Sequence, residues 1–362
     1  MSPKLKPWES GSEFHWMNLS SFSNEPAHPA HAHLYSLGRT ALADTIKFAM
    51  LGMGWKRLWI STYNCPEVVA AIESTGIETA FYFDTPFDPV SVPTHIASGD
   101  AIFIVNFFGI KSKEDYAGIY QLGIPVIEDH THDPWSSWAM ESMADYCVAS
   151  YRKVLPIPDG GAVWSNNGSP LAPDPHENDR SAAEINEKIG AMLLKTNYLE
   201  GAPFGKDSYI ALFDQAKKKV TQLALQGNNE GKAISSVSRE MLKVFPWKLW
   251  RKQRSRNHSH MVRKLSCSSG LRILEPHGAD SCPFILTMLL SSRPERDRVK
   301  QKLIERSVYP AVIWPLERIS CEWSEERSFE ISEKILAVQC DGRYSLADMD
   351  RVAATLSECI NL

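Results

Sequence analysis

Three groups of polar residues in the first half of the chain could do chemistry together. Lys153 follows the apolar segment "DYCVAS" and precedes a turn rich in proline and glycine. Asp129, 24 residues earlier, ends the apolar segment "PVIED". Gly38 and Arg39 begin a segment with helical spacing, where free backbone N–H groups and the helix dipole favour an anion. A lysine amine, a carboxylate and an anion site suit an aldehyde that carries a ring nitrogen and a phosphate, as pyridoxal phosphate does.

The elements that must position these residues are short apolar segments that alternate with helical ones. Most of the apolar segments lack strict alternation, which is typical of parallel strands covered on both faces. Helical spacing and terminal glycines predict helices over 39–52 and 65–76. Strands alternating with helices predict an α/β fold with a mostly parallel sheet between helices. Such sheets bind ligands beyond the carboxyl ends of their strands, where we expect the three groups to meet. The predicted strands are 57–62, 79–84, 101–109, 125–129, 145–150 and 161–165.

The rest of the chain is predicted to form a surface loop, a helical region and a small domain. Residues 166–184 are rich in Asn, Pro and charge, which is typical of a loop. Helical segments follow to about residue 265, and the tail reads as helix, strand and final helix, which suits a small α+β domain. The predicted organisation is an N-terminal arm, a large α/β domain that binds the cofactor and a small C-terminal α+β domain, over 1–34, 35–245 and 246–362.

Composition excludes several classes of protein. The 362 residues include 43% hydrophobic and 23% charged residues, which is ordinary for a globular protein. A net charge of −4 provides no electrostatic reason to expect nucleic acid or anionic lipid as a partner. No apolar run approaches the roughly 20 residues of a membrane helix, and the N-terminus lacks the apolar core of a signal peptide. Seven scattered cysteines without a CxxC pair favour a reduced, cytoplasmic protein without a membrane partner.

Six segments, in order along the chain, resemble those of a known family. They are "YSLGRTAL", "STYNCPEVVAAI", "IPVIEDHTH", "ASYRKVLPIPDGGAVW", "RSRNHSHMVRKL" and "CDGRYSLADMDRV". The family is the DegT/StrS group of fold-type I pyridoxal phosphate (PLP) enzymes, best known as sugar aminotransferases. The resemblance runs from about Tyr35 to the C-terminus, and it implies the fold-type I architecture for the large domain.

The resemblance also implies roles at the cofactor ring. Lys153 corresponds to the catalytic lysine that forms a Schiff base with the aldehyde. Asp129 corresponds to the partner of the pyridine nitrogen, and Thr131 would lie under the ring face. His132 occupies the place where the family usually has Gln or His near the ring hydroxyl. From the residues alone, Asp129 could instead cap a helix, and His132 could be a structural hydrogen-bonding group.

Other positions correspond to the phosphate site and to the ring-stacking residue. Gly38 and Arg39 would stand at the phosphate, although Arg39 could equally be a solvated helix residue. Ser150 is the candidate phosphate-binding serine. It stands three residues before Lys153, whereas the family commonly has five residues between this serine and the lysine. Cys65 stands where many members stack an aromatic ring on the cofactor, with Tyr63 nearby as a substitute.

The implied function is transamination. Members with His in place of the lysine run dehydration, so Lys153 implies an aminotransferase that uses PLP in ping-pong fashion. The implied partners are an amino acid donor such as glutamate and a keto acceptor such as a keto-sugar. A homodimer is also implied, and Asn197 is the counterpart of a residue that crosses between subunits. Two alternatives stay open: a PLP-dependent lyase or decarboxylase on the same scaffold, and a non-catalytic relative that binds PLP and acts in regulation.

Three further features favour structural interpretations. His28, His31 and His33 lack Asp, Glu or Cys at ligand spacing, which favours a polar loop, so no metal is expected. Arg343 could bind a substrate carboxylate, but the preferred interpretation is that it forms a salt bridge within the small domain. The basic segment 251–257 reads as a solvated helix face.

Overall fold

A seven-stranded sheet forms the centre of the first half of the protein. The structure is a computed structural model that describes residues 6–176, 182–225, 232–265 and 271–360. Apolar side chains line both faces of the inner strands, and the whole of the Asp100–Val105 strand is buried. The strands are β1 (His33–Tyr35), β2 (Arg57–Ser61), β3 (Glu78–Tyr82), β4 (Asp100–Val105), β5 (Val126–Asp129), β6 (Tyr146–Ala149) and β7 (Gly161–Trp164).

The strand order places the carboxyl ends of β4, β5 and β6 side by side. The order across the sheet is β1-β7-β6-β5-β4-β2-β3, and β7 runs antiparallel to both of its neighbours, β1 and β6. Asp129, at the end of β5, lies opposite Val105 on β4 and Val148 on β6. The predicted mostly parallel sheet is confirmed, and each predicted strand matches an observed one within a few residues.

Helices cover this sheet, and the first two begin at its carboxyl edge. Helix α1 spans two more residues than predicted and ends at Gly54, whose φ of 73° is left-handed. Helix α2 has Pro66 in its first turn, where the missing N–H costs nothing. The helices of this part are α1 (Gly38–Met53), α2 (Pro66–Glu73), α3 (Ala117–Tyr120), α4 (Ser137–Glu141) and α5 (Tyr151–Val154).

The predicted helical region follows the sheet. Residues 166–175 carry no regular structure, as predicted; 177–181 lie outside the described residues, and the next helix begins at Ala182, inside the predicted loop. The helices here are α6 (Ala182–Leu199), α7 (Asp207–Leu225), α8 (Ser236–Val244) and α9 (Trp247–Leu265).

The C-terminal part contains a three-stranded antiparallel sheet flanked by helices. Its strand order is β10-β9-β8. The tail is predicted as helix, strand and final helix, and its regular strand is Ile335–Val338; at 308–316 only isolated bridges form, at Val308 and Ala311. Pro310 and Pro315 lack the N–H groups that a ladder needs. The elements are β8 (Arg272–Ile273), β9 (Leu286–Leu289), α10 (Arg293–Glu305), α11 (Glu326–Lys334), β10 (Ile335–Val338) and α12 (Leu346–Ile360).

The described part of the chain has no helix long and apolar enough to cross a membrane. Six of its cysteines are described, and all six are free and buried. The observed α/β part and the smaller α+β part agree with the predicted fold class, while the exact domain boundaries remain a prediction.

Candidate active site

A cleft opens at the carboxyl edge of the sheet, between the starts of α1 and α2 and the ends of β5 and β6. It brings together seven of the nine residues predicted for the site, and leaves Tyr63 and His132 outside its lining. The side chains and backbone that line it belong to Leu37, Gly38, Arg39, Leu42, Cys65, Glu67, Val68, Asp129, Thr131, Val148, Ala149, Ser150, Arg152 and Lys153.

The ends of β5 and β6 are locked together by short polar contacts. The Thr131 N–H donates to Asp129 Oδ1 at 2.8 Å, which fixes the carboxylate at the mouth of the cleft. The Ser150 N–H donates to Thr131 Oγ1 at 3.0 Å. Asp129 is only half-buried, and no bond to its second oxygen is seen within the described residues. A fixed carboxylate with a free oxygen is suited to a cationic or N–H ligand.

Lys153 lies on the single turn of helix α5, directly after β6. Its backbone N–H donates to Ser150 O at 3.1 Å, and the neighbouring Arg152 N–H donates to Gly160 O at 3.3 Å. Gly160 in turn donates to Ser36 O at 2.8 Å, so the loop after the lysine is fastened to the segment before α1. Among the described residues no side chain bonds or pairs with the Lys153 amine, which leaves it available in the cleft.

Two glycines allow α1 to begin against the end of β6. A Cβ on Gly38 would lie 2.9 Å from Ala149 O and 3.0 Å from Ser150 Cβ. A Cβ on Gly161 would lie 2.2 Å from Gly38 N, closer than any side chain can approach. The first turn of α1, with its free N–H groups, therefore reaches the cleft only because both positions are glycine.

The start of α2 contributes a thiol and an ion pair. Cys65 stands at the N-cap of α2, and burial raises the pKa of its thiol, which the charge of Lys153 partly offsets. Arg39 Nη1 lies 3.1 Å from Glu67 Oε2, and both side chains are partly exposed. Glu67 was not predicted for the site, although it stands in the first turn of a helix that begins at this edge.

The two predicted residues outside the lining occupy packed positions behind the cleft. Tyr63 is fully buried, donates its hydroxyl hydrogen to Ile313 O and accepts the Trp314 N–H at 2.9 Å. This places Tyr63 at the contact between the large sheet and the C-terminal part. The structure does not place it as a ring that faces the cleft.

His132 is likewise buried. Its Nδ1 accepts the Phe108 N–H at 3.1 Å, and its ring stacks on Phe284 with centroids 5.0 Å apart. Burial, and then the charge of Lys153, hold the pKa of His132 well below its ordinary value. The ring is therefore neutral at pH 7, and in the structure it is a packed hydrogen-bonding group near Lys153.

The interpretation of residues 251–257 as a solvated helix face is wrong. Asp133, fully buried, accepts from Arg251 Nη2 at 2.8 Å and from Arg254 Nη2 at 3.0 Å, and Arg254 is itself buried. The backbone N–H of Cys282 donates to the same carboxylate at 3.1 Å. This network ties the loop after Asp129 to α9, and sequence reasoning missed it because the partners lie more than 100 residues apart.

The remaining predicted positions fall into structural or peripheral settings. Arg343 Nη2 lies 2.7 Å from Asp341 Oδ2, and both side chains are buried, so the salt-bridge interpretation of Arg343 is confirmed.

Asn197 is exposed on α6, and its role between subunits remains a prediction. His33 Nε2 lies 3.5 Å from Asp174, and His28 Nδ1 contacts Pro29 O.

A different cluster within the described residues has the composition of a metal site. Glu128, His130 and Cys147 are all buried, with potential ligand atoms within 4.8 Å of one another. His130 Nε2 lies 2.7 Å from Glu128 Oε2, and the Tyr120 hydroxyl donates to Glu128 Oε1 at 2.5 Å. These contacts already engage the carboxylate, and the His130 ring packs against the rings of Trp138 and Trp164.

The chemistry of the cleft fits PLP. An amine and a carboxylate oxygen, both without a partner among the described residues, line one opening with a helix start that only glycine permits. The guanidinium of Arg152, which lines the same cleft, has a buried Nε with no hydrogen-bond partner among the residues that the structure describes. The donors of Arg152 and of the α1 start match the anionic groups of PLP, and the free carboxylate oxygen of Asp129 matches its protonated ring nitrogen.

Comparison with known proteins provides structural matches only. No family model matches the sequence, and no curated protein is similar to it in sequence. Among solved structures, Helicobacter pylori PseC, an aminotransferase involved in pseudoaminic acid biosynthesis, has a TM-score of 0.64 at 11% identity. The match covers 98% of this chain and 100% of PseC.

Two further matches have similar extent. NtdA from Bacillus subtilis, solved with bound cofactor PMP, has a TM-score of 0.61 at 14% identity over 94% of this chain and 79% of NtdA. A DegT DnrJ EryC1 StrS aminotransferase from Brucella abortus has a TM-score of 0.52 at 14% identity over 91% of this chain and 85% of that chain. Nearly the whole chain therefore has the fold of DegT/StrS-type aminotransferases.

Proposed function

We propose that the protein is a PLP-dependent aminotransferase. The observation that supports this most directly is that Lys153 and Asp129 line one cleft together with the start of α1 at Gly38. The shared fold adds support, since NtdA has that fold and was solved with PMP, the aminated form of PLP, as its bound cofactor. The cofactor, the activity and the residue roles are proposals for this chain.

Each residue would have a separate task at the cofactor. When bound, PLP supplies an aldehyde that exchanges amino groups and a ring that withdraws electrons from the carbon being deprotonated. The Asp129 carboxylate would accept the ring N–H and keep that nitrogen protonated. The backbone N–H groups at the start of α1 would bind the phosphate. Thr131 is held between Asp129 and Ser150 and would support the ring face.

Lys153 would be the covalent attachment point and the proton carrier. Its Nζ has no ion-pair partner among the described residues, so proton uptake and release at this atom would not have to break a salt bridge. The donor would be an amino acid such as glutamate, and the acceptor a keto compound such as a keto-sugar. The homodimer implied by the resemblance would add residues from a second copy to the same cleft.

The test is a half-reaction with the purified protein. Protein loaded with PLP and mixed with glutamate should form the pyridoxamine form of the cofactor and 2-oxoglutarate, which a lyase or decarboxylase would not do. Lys153→Ala should lose the visible band of lysine-bound PLP and at least about a hundredfold of turnover, the range for a lost acid–base group. Lys47→Ala, at an exposed position of α1, is the matched control. Unchanged turnover in Lys153→Ala would end this proposal.

A further inference from the structure

Two cations beside the cleft have no ion-pair partner among the described residues. Arg152 lines the cleft immediately before Lys153, and its Nε is buried without a hydrogen-bond partner. Lys188, on α6, lies close to Arg152. Burial, and then repulsion from Arg152, lower the pKa of Lys188 from its ordinary value near 10.5 to about 8.

The carboxylates nearest to these cations are engaged elsewhere or exposed. Asp159 accepts from the Ser235 N–H at 2.8 Å and from the hydroxyls of Ser235 at 2.6 Å and Ser238 at 2.5 Å. Glu67 pairs with Arg39. The Glu13 side chain is exposed to solvent. Each of them acts on Arg152 or Lys188 only at longer range, so the local charge remains positive.

An unpaired, largely desolvated guanidinium is unfavourable unless an anion compensates it. Arg presents a planar set of donors that matches the two oxygens of a carboxylate or the oxygens of a phosphate. Arg39, Arg152 and Lys153 all line the cleft, where Asp129 and Glu67 are the carboxylates in the lining. The balance of charge therefore favours an anionic ligand on the Arg152 side.

We propose that Arg152, with Lys188 behind it, forms a binding site for an oxyanion group of the ligand that occupies the cleft. The oxyanion would be either the phosphate of the cofactor or a carboxylate of an acidic substrate. The naming of these two sources depends on the proposed function, whereas the oxyanion site itself does not. Ser150 stands closer to Lys153 than the phosphate-binding serine of the family stands to its lysine. An oxyanion site at Arg152 would let the chain bind an anion without that serine.

The first experiment uses sulfate and inorganic phosphate with the cofactor-free protein. Sulfate should raise the Tm of the wild type, and titration should yield its Kd. Arg152→Gln should weaken sulfate binding about ten- to a hundredfold, the equivalent of one or two charged hydrogen bonds. Lys188→Met should weaken it less, and Arg152→Lys should retain part of the affinity. Lys47→Gln, which removes an exposed charge from α1, should bind like the wild type.

The second experiment identifies the source of the oxyanion. If Arg152→Gln loses affinity for PLP but not for pyridoxal, which lacks the phosphate, the ligand group is the cofactor phosphate. If PLP affinity is kept and KM rises for glutamate but not for alanine, which shares the α-carboxylate, the ligand group is the side-chain carboxylate of an acidic substrate. Either result supports an oxyanion site at Arg152, and the second makes the substrate an acidic one.

Two results would overturn the proposal. One is an Arg152→Gln variant that binds sulfate, PLP and glutamate as the Lys47→Gln control does. The other is a variant that becomes monomeric with unchanged anion binding, since Arg152 would then pair with a second copy of the chain. Without anion, folded Arg152→Gln should be at least as stable as the wild type, because an unpaired charge is removed. A wild type that binds sulfate but never transaminates would refute the proposed function and leave the oxyanion site standing.

Discussion

Asp129 ends strand β5 and Asp133 stands four residues later, and their surroundings differ. Asp133 is fully buried and accepts hydrogen bonds from Arg251, Arg254 and the Cys282 N–H. Asp129 is half-buried, and within the described residues it accepts only the Thr131 N–H. The amine of Lys153, which lines the same cleft, has no hydrogen-bond or ion-pair partner in the described part of the chain. The same residue type thus serves a closed network in one place and an open cleft in the other.

The comparison shows how a chain separates structural charges from binding charges. A buried carboxylate whose acceptor sites are all engaged can only hold its partners together. A carboxylate with an unused acceptor and an amine with unused donors at a cleft can bind a ligand without breaking an existing ion pair. The Asp133 network also fixes the loop that follows Asp129, since Arg251 and Arg254 on α9 bind Asp133.

The largest expected effect is on stability, at Asp133. Asp133→Asn leaves Arg251 and Arg254 without their shared carboxylate, and we expect a loss of about 3–5 kcal/mol in the free energy of unfolding. Urea denaturation measures it. Asp280→Asn is the matched control, since it removes the exposed partner of Arg251 and should cost less than about 1 kcal/mol. Equal urea midpoints for the two variants would mean that the buried network stabilises the fold no more than the exposed ion pair does.

At Asp129 the expected effect is on turnover. Asp129→Asn keeps an oxygen for the Thr131 N–H but loses the charge opposite the ring nitrogen. We expect turnover to fall by about a hundredfold, as for other preorganised electrostatic groups, with a stability change below about 1 kcal/mol. Steady-state kinetics and urea denaturation of the same preparation test the expected loss of turnover and the expected small change in stability. If Asp129→Asn were as unstable as Asp133→Asn, the contrast between the two carboxylates would be wrong.

The smallest expected effect is on pH dependence, at Lys188. With a folded pKa of about 8 against an ordinary value near 10.5, the folded state releases this proton first. This group therefore makes the protein more stable as pH rises between these values, and it weakens sulfate binding as pH rises through 8. The charged groups that face it are Arg152, Glu13 and Asp159. Sulfate titrations at pH 7 and pH 9 should differ for the wild type, and Lys188→Met should reduce the difference; an equal difference would contradict the assignment.

Sequence reasoning located most of the cleft because its rules are local. Apolar runs identified the strands, and the rule that parallel strands end at one edge brought Asp129, Lys153 and Gly38 together. It failed for Tyr63 and for residues 251–257. A tyrosine near a strand end can face the cleft or the interior, and an arginine on a helix looks solvated until its partner is known.

The amino-acid sequence by itself determined the order of strands and helices, the edge at which the polar groups gather and the glycines that let α1 approach β6. These follow from spacing and from backbone sterics within short segments. The tertiary structure alone decided which charges are paired. Arg251 meets Asp133 across 118 residues of chain, while Arg152 and Lys188 pair with no carboxylate among the described residues. Pairing depends on which distant side chains pack together, and no local pattern encodes that.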